Sequence, residues 1–284
     1  MTSIQKILVP VDLSGNSDSA MRYASELAAI TGAKVYLFHT SILPDFYVTE
    51  LDDYSRSRKE MKAVIKRIQD ASMTFLQEMR KRFFPETAKV VCKITLAKNI
   101  YNEILNYAEE LLPDYIIMGG GEQSGKIKIG SNTERVLRLT DIPVLVVKNP
   151  AKASKINKVV FASDFYEDSV NVFNQIKEFP ADSHISYKLL YINTKSGFED
   201  YDTVKTRIEN FKRNFSADFS IVIRAGKSVE TSIVRYANSI NAGLIAMGIK
   251  RKKGLSQYFT DKITESVISL SDIPVLAVNN PGKK

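Results

Sequence analysis

A Gly-rich loop that begins with Met118-Gly119-Gly120-Gly121 and ends with Gly130-Ser131-Asn132-Thr133 carries the strongest chemical signal in this chain. Glycines let a backbone approach an anion closely. Successive N–H groups, followed by the start of a helix, supply donors and a partial positive charge. A phosphate is the natural guest of such a loop. Upstream, Pro10-Val11-Asp12 ends a short apolar run with a carboxylate, which can accept from an N–H donor or cap the next turn. Glu122 works against a phosphate, because a carboxylate beside a triphosphate repels it unless a divalent metal such as Mg²⁺ bridges the two.

Other chemistries find little support. His39 and His184 are the only histidines, and neither has Cys or carboxylate partners at helix spacing, so a His-based metal site is not expected. His39 falls in a strand-like run and reads as a packed residue. Cys92, the single cysteine, sits in the apolar run VVCKI and reads as a buried strand residue; it rules out an intrachain disulfide framework. There is no G-x-S-x-G elbow and no P-loop ending in G-K-[ST]. Catalysis has no visible general base, and only Glu122 would lie near a phosphate.

The elements that position these residues come twice. Thr133–Pro150 (TERVLRLTDIPVLVVKNP) recurs as Thr264–Pro281 (TESVISLSDIPVLAVNNP), identical at 12 of 18 positions. Upstream, Ile4–Thr40 corresponds loosely to Ile156–Thr194, placing Asp12 opposite Asp164, and Tyr107–Gly119 corresponds to Tyr236–Gly248. The offset changes from 129 to 131 inside the Gly-rich loop, which marks that loop as the place where the copies diverge. A unit of this length is one ordinary domain, so residues 1–150 and 151–284 are expected to form two domains, joined at Asn149–Lys155.

Within copy one, strands are expected at Lys6–Val11, Ala33–Thr40, Lys89–Leu96, Asp114–Met118 and Pro143–Val147. Helices are expected at Ser17–Thr31, Ser57–Phe84, Ile100–Leu111 and from Asn132, with residues 41–54 a loop. Copy two repeats this order with a shorter second helix, Tyr201–Phe215. Continuous apolar strands alternating with helices predict an α/β fold: an open five-stranded parallel sheet with helices on both faces, in each copy. In such sheets ligands bind outside the carboxyl ends of the strands, where the winding reverses. Asp12 and Gly119 end the first and fourth strands, so their loops should face each other.

Composition sets the remaining bounds. With 284 residues and 44% hydrophobic content the chain can fill two independent cores, and no run is long and apolar enough to span a membrane. The N-terminus leads directly into strand-like sequence, so a soluble, cytoplasmic protein is expected. The net charge of +8 permits nucleic-acid binding, but no stripe of basic and aromatic residues supports it.

VPVDLS at the start, VYLFHT, IIMGGGEQSGKIKIGSNTERVL and DIPVLVV at the end together resemble the universal stress protein family, specifically its tandem members, over the whole chain. Many members bind ATP through an Asp after strand one and a loop of the form G-x2-G-x9-G-[ST]. The resemblance implies ATP in copy one, with phosphates on Gly119, Gly130, Ser131 and Asn132, and with Met118 and Gly121 also among the cofactor-binding residues. Asp12 would accept from the adenine amino group, and Pro10, Val11 and Thr40 would line the base pocket. Copy one departs from the pattern, since its loop is two residues short and Glu122 takes the place of the second glycine. The related nucleotidyltransferases use H-x-G-H after strand one, where this chain has Asp12-Leu13-Ser14-Gly15.

Copy two keeps the loop length and Asp164, but puts Arg251 at the second glycine and Asp261-Lys262 at the terminal Gly-Ser. It is not expected to bind ATP in the family manner, and Lys250–Lys253 reads as a solvated loop, a docking patch for an acidic partner, or a phosphate clamp reaching the neighbouring site. The expected function is a stress-response adenine-nucleotide-binding module with little or no hydrolysis. The alternatives are an interaction protein that has lost its ligand, and a nucleotide-dependent hydrolase or transferase. Finally, Val144–Val147 and Val275–Val278 carry no charge, yet each would lie at a sheet edge in the family's strand order, where pairing is invited. Family members pair these strands antiparallel, which implies an intramolecular pseudo-dimer; a protein partner and a further homodimer stay open.

Overall fold

The computed structural model describes residues 4–12, 15–42, 55–120, 122–123, 126–127, 129–180, 185–216, 219–250 and 261–280. Copy one runs β1 (Lys6–Pro10), α1 (Ser17–Thr31), β2 (Lys34–Ile42), α2 (Ser55–Phe83), β3 (Val90–Ala97), α3 (Ile100–Leu111) and β4 (Tyr115–Gly119). A short antiparallel hairpin, β5 (Glu122–Gln123) and β6 (Lys126–Ile127), precedes α4 (Ser131–Leu139) and β7 (Val144–Val147). Copy two runs β8 (Lys158–Ala162), α5 (Asp168–Lys177), β9 (Ser186–Thr194), α6 (Tyr201–Lys212), β10 (Phe219–Gly226) and α7 (Val229–Ser239). It closes with β11 (Leu244–Lys250), α8 (Asp261–Leu270) and β12 (Val275–Asn280).

Most expected boundaries shift by a residue or two, as helix and strand ends do. β2 runs on through Ser41 and Ile42, which the sequence assigns to a loop, because each finds a partner on β3. α6 ends at Lys212 rather than Phe215, where Asn214 and Phe215 close a turn onto Phe211 and Lys212.

All ten long strands form one sheet, in the order β10-β9-β8-β11-β12-β7-β4-β1-β2-β3. Each half is parallel and switches direction between its first and fourth strands, β1 beside β4 and β8 beside β11. The halves meet at an antiparallel pair, Val275 opposite Val146, Leu276 opposite Leu145 and Ala277 opposite Val144. Two uncharged edges thus cover each other, and the expected pseudo-dimer is present within one chain.

This pairing corrects one expectation, that of two independent cores. The cores divide by sheet face, not by copy. Ile7, Val9, Leu145, Leu276 and Phe161 belong to one cluster, while Leu8, Val144, Ala277 and Val160 belong to the other. The period-2 alternation of β7 and β12 feeds both clusters at the junction, so each runs unbroken from one copy into the next. At the far edge, β3 is only half covered, and Cys92 is half-buried rather than buried.

Side chains near the pseudo-twofold axis reinforce the pairing reciprocally. Lys148 and Asn279 occupy equivalent places in the duplication. Lys148 donates through Nζ to the Ser269 carbonyl of α8 (2.6 Å). Asn279, buried, donates to the Leu137 carbonyl (2.9 Å) and to the Thr140 carbonyl at the end of α4. Each copy therefore satisfies orphan carbonyls on the last helix of the other. Arg138 of α4 adds a two-pronged contact to Glu265 of α8, at 2.6 and 2.9 Å. Gly120 leaves the room this requires, since a Cβ there would lie 2.2 Å from Lys148 Cγ.

Candidate functional site

The β1–α1 turn, the end of β2, the start of α3, the end of β4 and the start of α4 enclose a cavity of about 180 Å³. Nine of the ten expected site residues line it: Pro10, Val11, Asp12, Thr40, Met118, Gly119, Gly130, Ser131 and Asn132. The tenth, Gly121, lies outside the described residues, as does the side chain of Glu122. Asn16, Ser17, Phe38, Ile100, Ile104 and Thr133 also line the cavity, and the sequence reading did not single them out. Ile100 and Ile104 were legible as an i, i+4 pair at the start of a helix that follows a strand.

Local chemistry shapes each wall. Asp12 closes the β1–α1 turn: Ser17 Oγ donates to Asp12 Oδ1 (2.8 Å) and accepts from the Asp12 N–H (3.0 Å). Thr133 ties the opposite wall together, donating from Oγ1 to the Gly119 carbonyl (3.3 Å), so the two ends of the Gly-rich loop are held side by side. His39 is packed behind the site, its Nδ1 2.7 Å from the Val11 carbonyl. The Thr40 hydroxyl is buried with no partner among the described residues. An orphaned polar atom in a cavity wall fits a ligand or water that would satisfy it.

The two outer glycines differ in kind. A Cβ on Gly119 would meet the Asn16 carbonyl oxygen at 2.1 Å, so the fold itself excludes a side chain there. Gly130 is the N-cap of α4 with φ −59° and ψ 140°, a conformation open to any residue. Among the described residues its Cβ would meet only Thr133 Oγ1, at 3.8 Å, and no packing among them demands glycine at this position. The N-terminus of α4, with no side-chain cap, opens at the cavity wall beside it.

Copy two places a larger cavity, about 310 Å³, at the equivalent switch point. Strand registers correct one alignment made from sequence. Lys6 faces Lys34 and Lys158 faces Ser186, so the counterpart of Thr40 is Ile192, not Thr194. At other equivalent wall positions, Asn16 gives way to Asp168, Phe38 to Leu190, Ser131 to Lys262 and Asn132 to Ile263. Met118 and Gly119 persist as Met247 and Gly248. The Asp12–Ser17 pair is not repeated. Ser169 binds Ser163 instead (2.7 Å), while Asp164 accepts from the Tyr166 N–H (3.5 Å) and the intervening Phe165 takes a left-handed φ of 59° to reach the core.

A polar cluster the sequence did not reveal braces the rim of this second cavity. Glu199 accepts two bonds from Arg207 (2.9 and 2.7 Å) and one from Tyr191 Oη (2.5 Å). Its backbone is held on both sides by the Asn193 amide. Arg207 and Tyr191 hold the Glu199 carboxyl at about 2, well below its usual range. Burial and the same carboxylate push the Tyr191 phenol up to about 12. The partners come from β9, the loop after it and α6, so neither spacing nor residue type marked them as a group. Lys250 ends β11, while Arg251 to Lys253 of the basic run lie outside the described residues.

Comparison with known proteins bears on both copies. The universal stress protein family profile matches residues 3–148 and again 155–279. Universal stress protein MJ0531 of Methanocaldococcus jannaschii is 29% identical over 161 residues, covering 52% of this chain and 84% of that protein. Universal stress protein G of Shigella flexneri is 28% identical over 145 residues, covering 50% of this chain and 97% of its own. A crystallised universal stress protein from Archaeoglobus fulgidus superimposes at a TM-score of 0.69 with 22% identity, covering 99% of this chain and 100% of its own. With both halves matched and the fold shared from end to end, the chain belongs to the universal stress protein family.

Proposed function

We propose that copy one binds an adenine nucleotide, ATP by resemblance, and that the protein is a stress-response module of the cytoplasm that reads nucleotide rather than consuming it. The base would lie against Pro10, Val11 and Thr40 with Asp12 at its edge, and the phosphates against Gly119 and the Gly130–Asn132 turn. One observation carries this reading: Gly130 caps a helix that opens at the cavity wall, and nothing among the described residues requires glycine there. A glycine kept without a packing reason is what close approach of a ligand to the backbone demands. The partnerless Thr40 hydroxyl supports an occupant in the same cavity.

The described wall chemistry supports binding with little or no hydrolysis. Among the described lining residues Asp12 is the only titratable group, and it sits at the β1 end, engaged with Ser17. No described side chain at the α4 end can serve as general base. If Mg²⁺ accompanies the nucleotide, it would offset phosphate charge against acidic groups of the loop. Residues 1–150 and 151–284 would then act as a sensing domain and a degenerate partner domain. Denaturing the purified protein and separating the soluble fraction by anion exchange tests the reading. Adenine nucleotide should be released from the wild type and absent from Ser131→Asp, which sets a carboxylate at the helix start. Folded wild-type protein that neither carries nor takes up nucleotide would leave the interaction-protein reading in its place.

A further inference from the structure

The second cavity has the position of a ligand site but the wrong walls for a nucleotide. At about 310 Å³ it lies in the lower part of the range for small-molecule sites, about 300–1,000 Å³. Of the wall positions that are polar in copy one and altered in copy two, Ser131 becomes the basic Lys262 at the start of α8, and the others turn apolar or acidic. Thr40 and Asn132 become Ile192 and Ile263, joining Val229, Ile233 and Met247 in an apolar lining. Asn16 becomes Asp168, a second carboxylate beside Asp164, and α8 begins with Asp261 where copy one has the N-cap Gly130.

We propose that the copy-two cavity binds a predominantly hydrocarbon or aromatic small molecule that carries no anionic group. The apolar wall supplies the attraction through area removed from water, and the carboxylates Asp164 and Asp168 set the exclusion, since a second negative charge at the mouth is repelled. Among the described residues that line this cavity none is a lysine or arginine; Lys195 and Lys262 adjoin lining residues. A polar cluster braces the rim. Glu199 fastens Arg207, Tyr191 and Asn193 around the loop that brings Thr194 and Gly197 to the cavity. Exposed aromatic rings, Tyr166 and Phe198, stand on the same rim and suit an apolar visitor. This site stands whether or not copy one binds nucleotide.

The experiment uses the full chain and N-phenyl-1-naphthylamine, an uncharged dye that brightens in apolar surroundings. The dye should bind, and 1-octanol and octylammonium should displace it, while octanoate and ATP should be weaker competitors by about tenfold or more. Three variants install a filler or the copy-one residue. Ile233→Phe should abolish dye binding, Ile192→Thr should weaken it by about threefold to tenfold, and Asp168→Asn should narrow the gap between octanol and octanoate. Circular dichroism confirms that each variant is folded; if Ile233→Phe is not, Ile192→Thr and Asp168→Asn carry the test. Absence of dye binding, displacement by octanoate or ATP as effective as by octanol, or undiminished binding in folded Ile233→Phe or Ile192→Thr would each overturn the proposal.

Discussion

Replacing Gly119 and Gly130 in turn by alanine separates what the fold requires from what a ligand requires. At Gly119 the new methyl would lie 2.1 Å from the Asn16 carbonyl oxygen and 2.7 Å from its carbon, where contacts under 3.0 Å essentially never occur. Both partners are backbone, so no side chain can swing away; the β1–α1 turn must retreat from β4 by about 1 Å. Forced repacking of that kind costs about 1–3 kcal/mol. At about 2–4 °C per kcal/mol for a domain of this size or larger, Gly119→Ala should lower Tm by roughly 2–12 °C. Gly130→Ala places its methyl 3.8 Å from the nearest atom on a backbone any residue can adopt. Its effect on stability should stay within about 0.5 kcal/mol, yet it should weaken ATP binding at least about tenfold, because the methyl occupies the approach to the α4 N-terminus. Calorimetric unfolding and ATP titration on the same preparations read both quantities. The reasoning fails if Gly130→Ala loses as much stability as Gly119→Ala, or if it binds ATP as tightly as the wild type.

Three further outcomes follow from other parts of the structure. Val146→Lys buries a charge opposite Val275 on a strand covered on both faces; it should part the copies, seen as lost cooperativity in unfolding and as apolar-dye binding well above that of the wild type. Asn279→Leu removes the donor for the Leu137 and Thr140 carbonyls and should cost about 1–3 kcal/mol for buried acceptors left unsatisfied, read as a shift in denaturant midpoint. Glu199 is held at about 2, below its unfolded value, so its contribution is fully present above about pH 4.5 and is lost as pH falls toward 2. The stability gap between wild type and Glu199→Gln should therefore close over that acid window, and a gap independent of pH there would contradict the ion pair with Arg207.

The fold was legible because its signals are local or repeated. Strands such as Lys6–Pro10 are continuous apolar runs, helices such as Ile100–Leu111 carry clean periodicity, and the near-identical ends of the copies pointed to a shared pairing edge. Nine positions on the cavity wall could be named in advance because the resemblance to the universal stress protein family assigned them, while the Gly-rich loop and the carboxylate at a strand end had physical meaning on their own. Three features were not legible. Thr40 was aligned with Thr194 because matching threonines outweighed strand register, and only the β1–β2 and β8–β9 ladders show that Ile192 is its counterpart. Gly119 and Gly130 look alike in sequence, yet the cause of the first is a carbonyl on a distant turn. The Glu199–Arg207–Tyr191 cluster unites a strand, a loop and a helix, and no residue pattern announces it.

The central claim, that one copy holds nucleotide and the other does not, is tested most directly by the stoichiometry of ATP binding to the intact, nucleotide-stripped chain. Isothermal titration in the presence of Mg²⁺ should saturate at one ATP per chain, with the heat lost in Ser131→Asp and kept when Lys262, the copy-two residue at the equivalent position, is changed to Asp. Saturation at two per chain, or heat that survives in Ser131→Asp and vanishes in Lys262→Asp, would contradict the account.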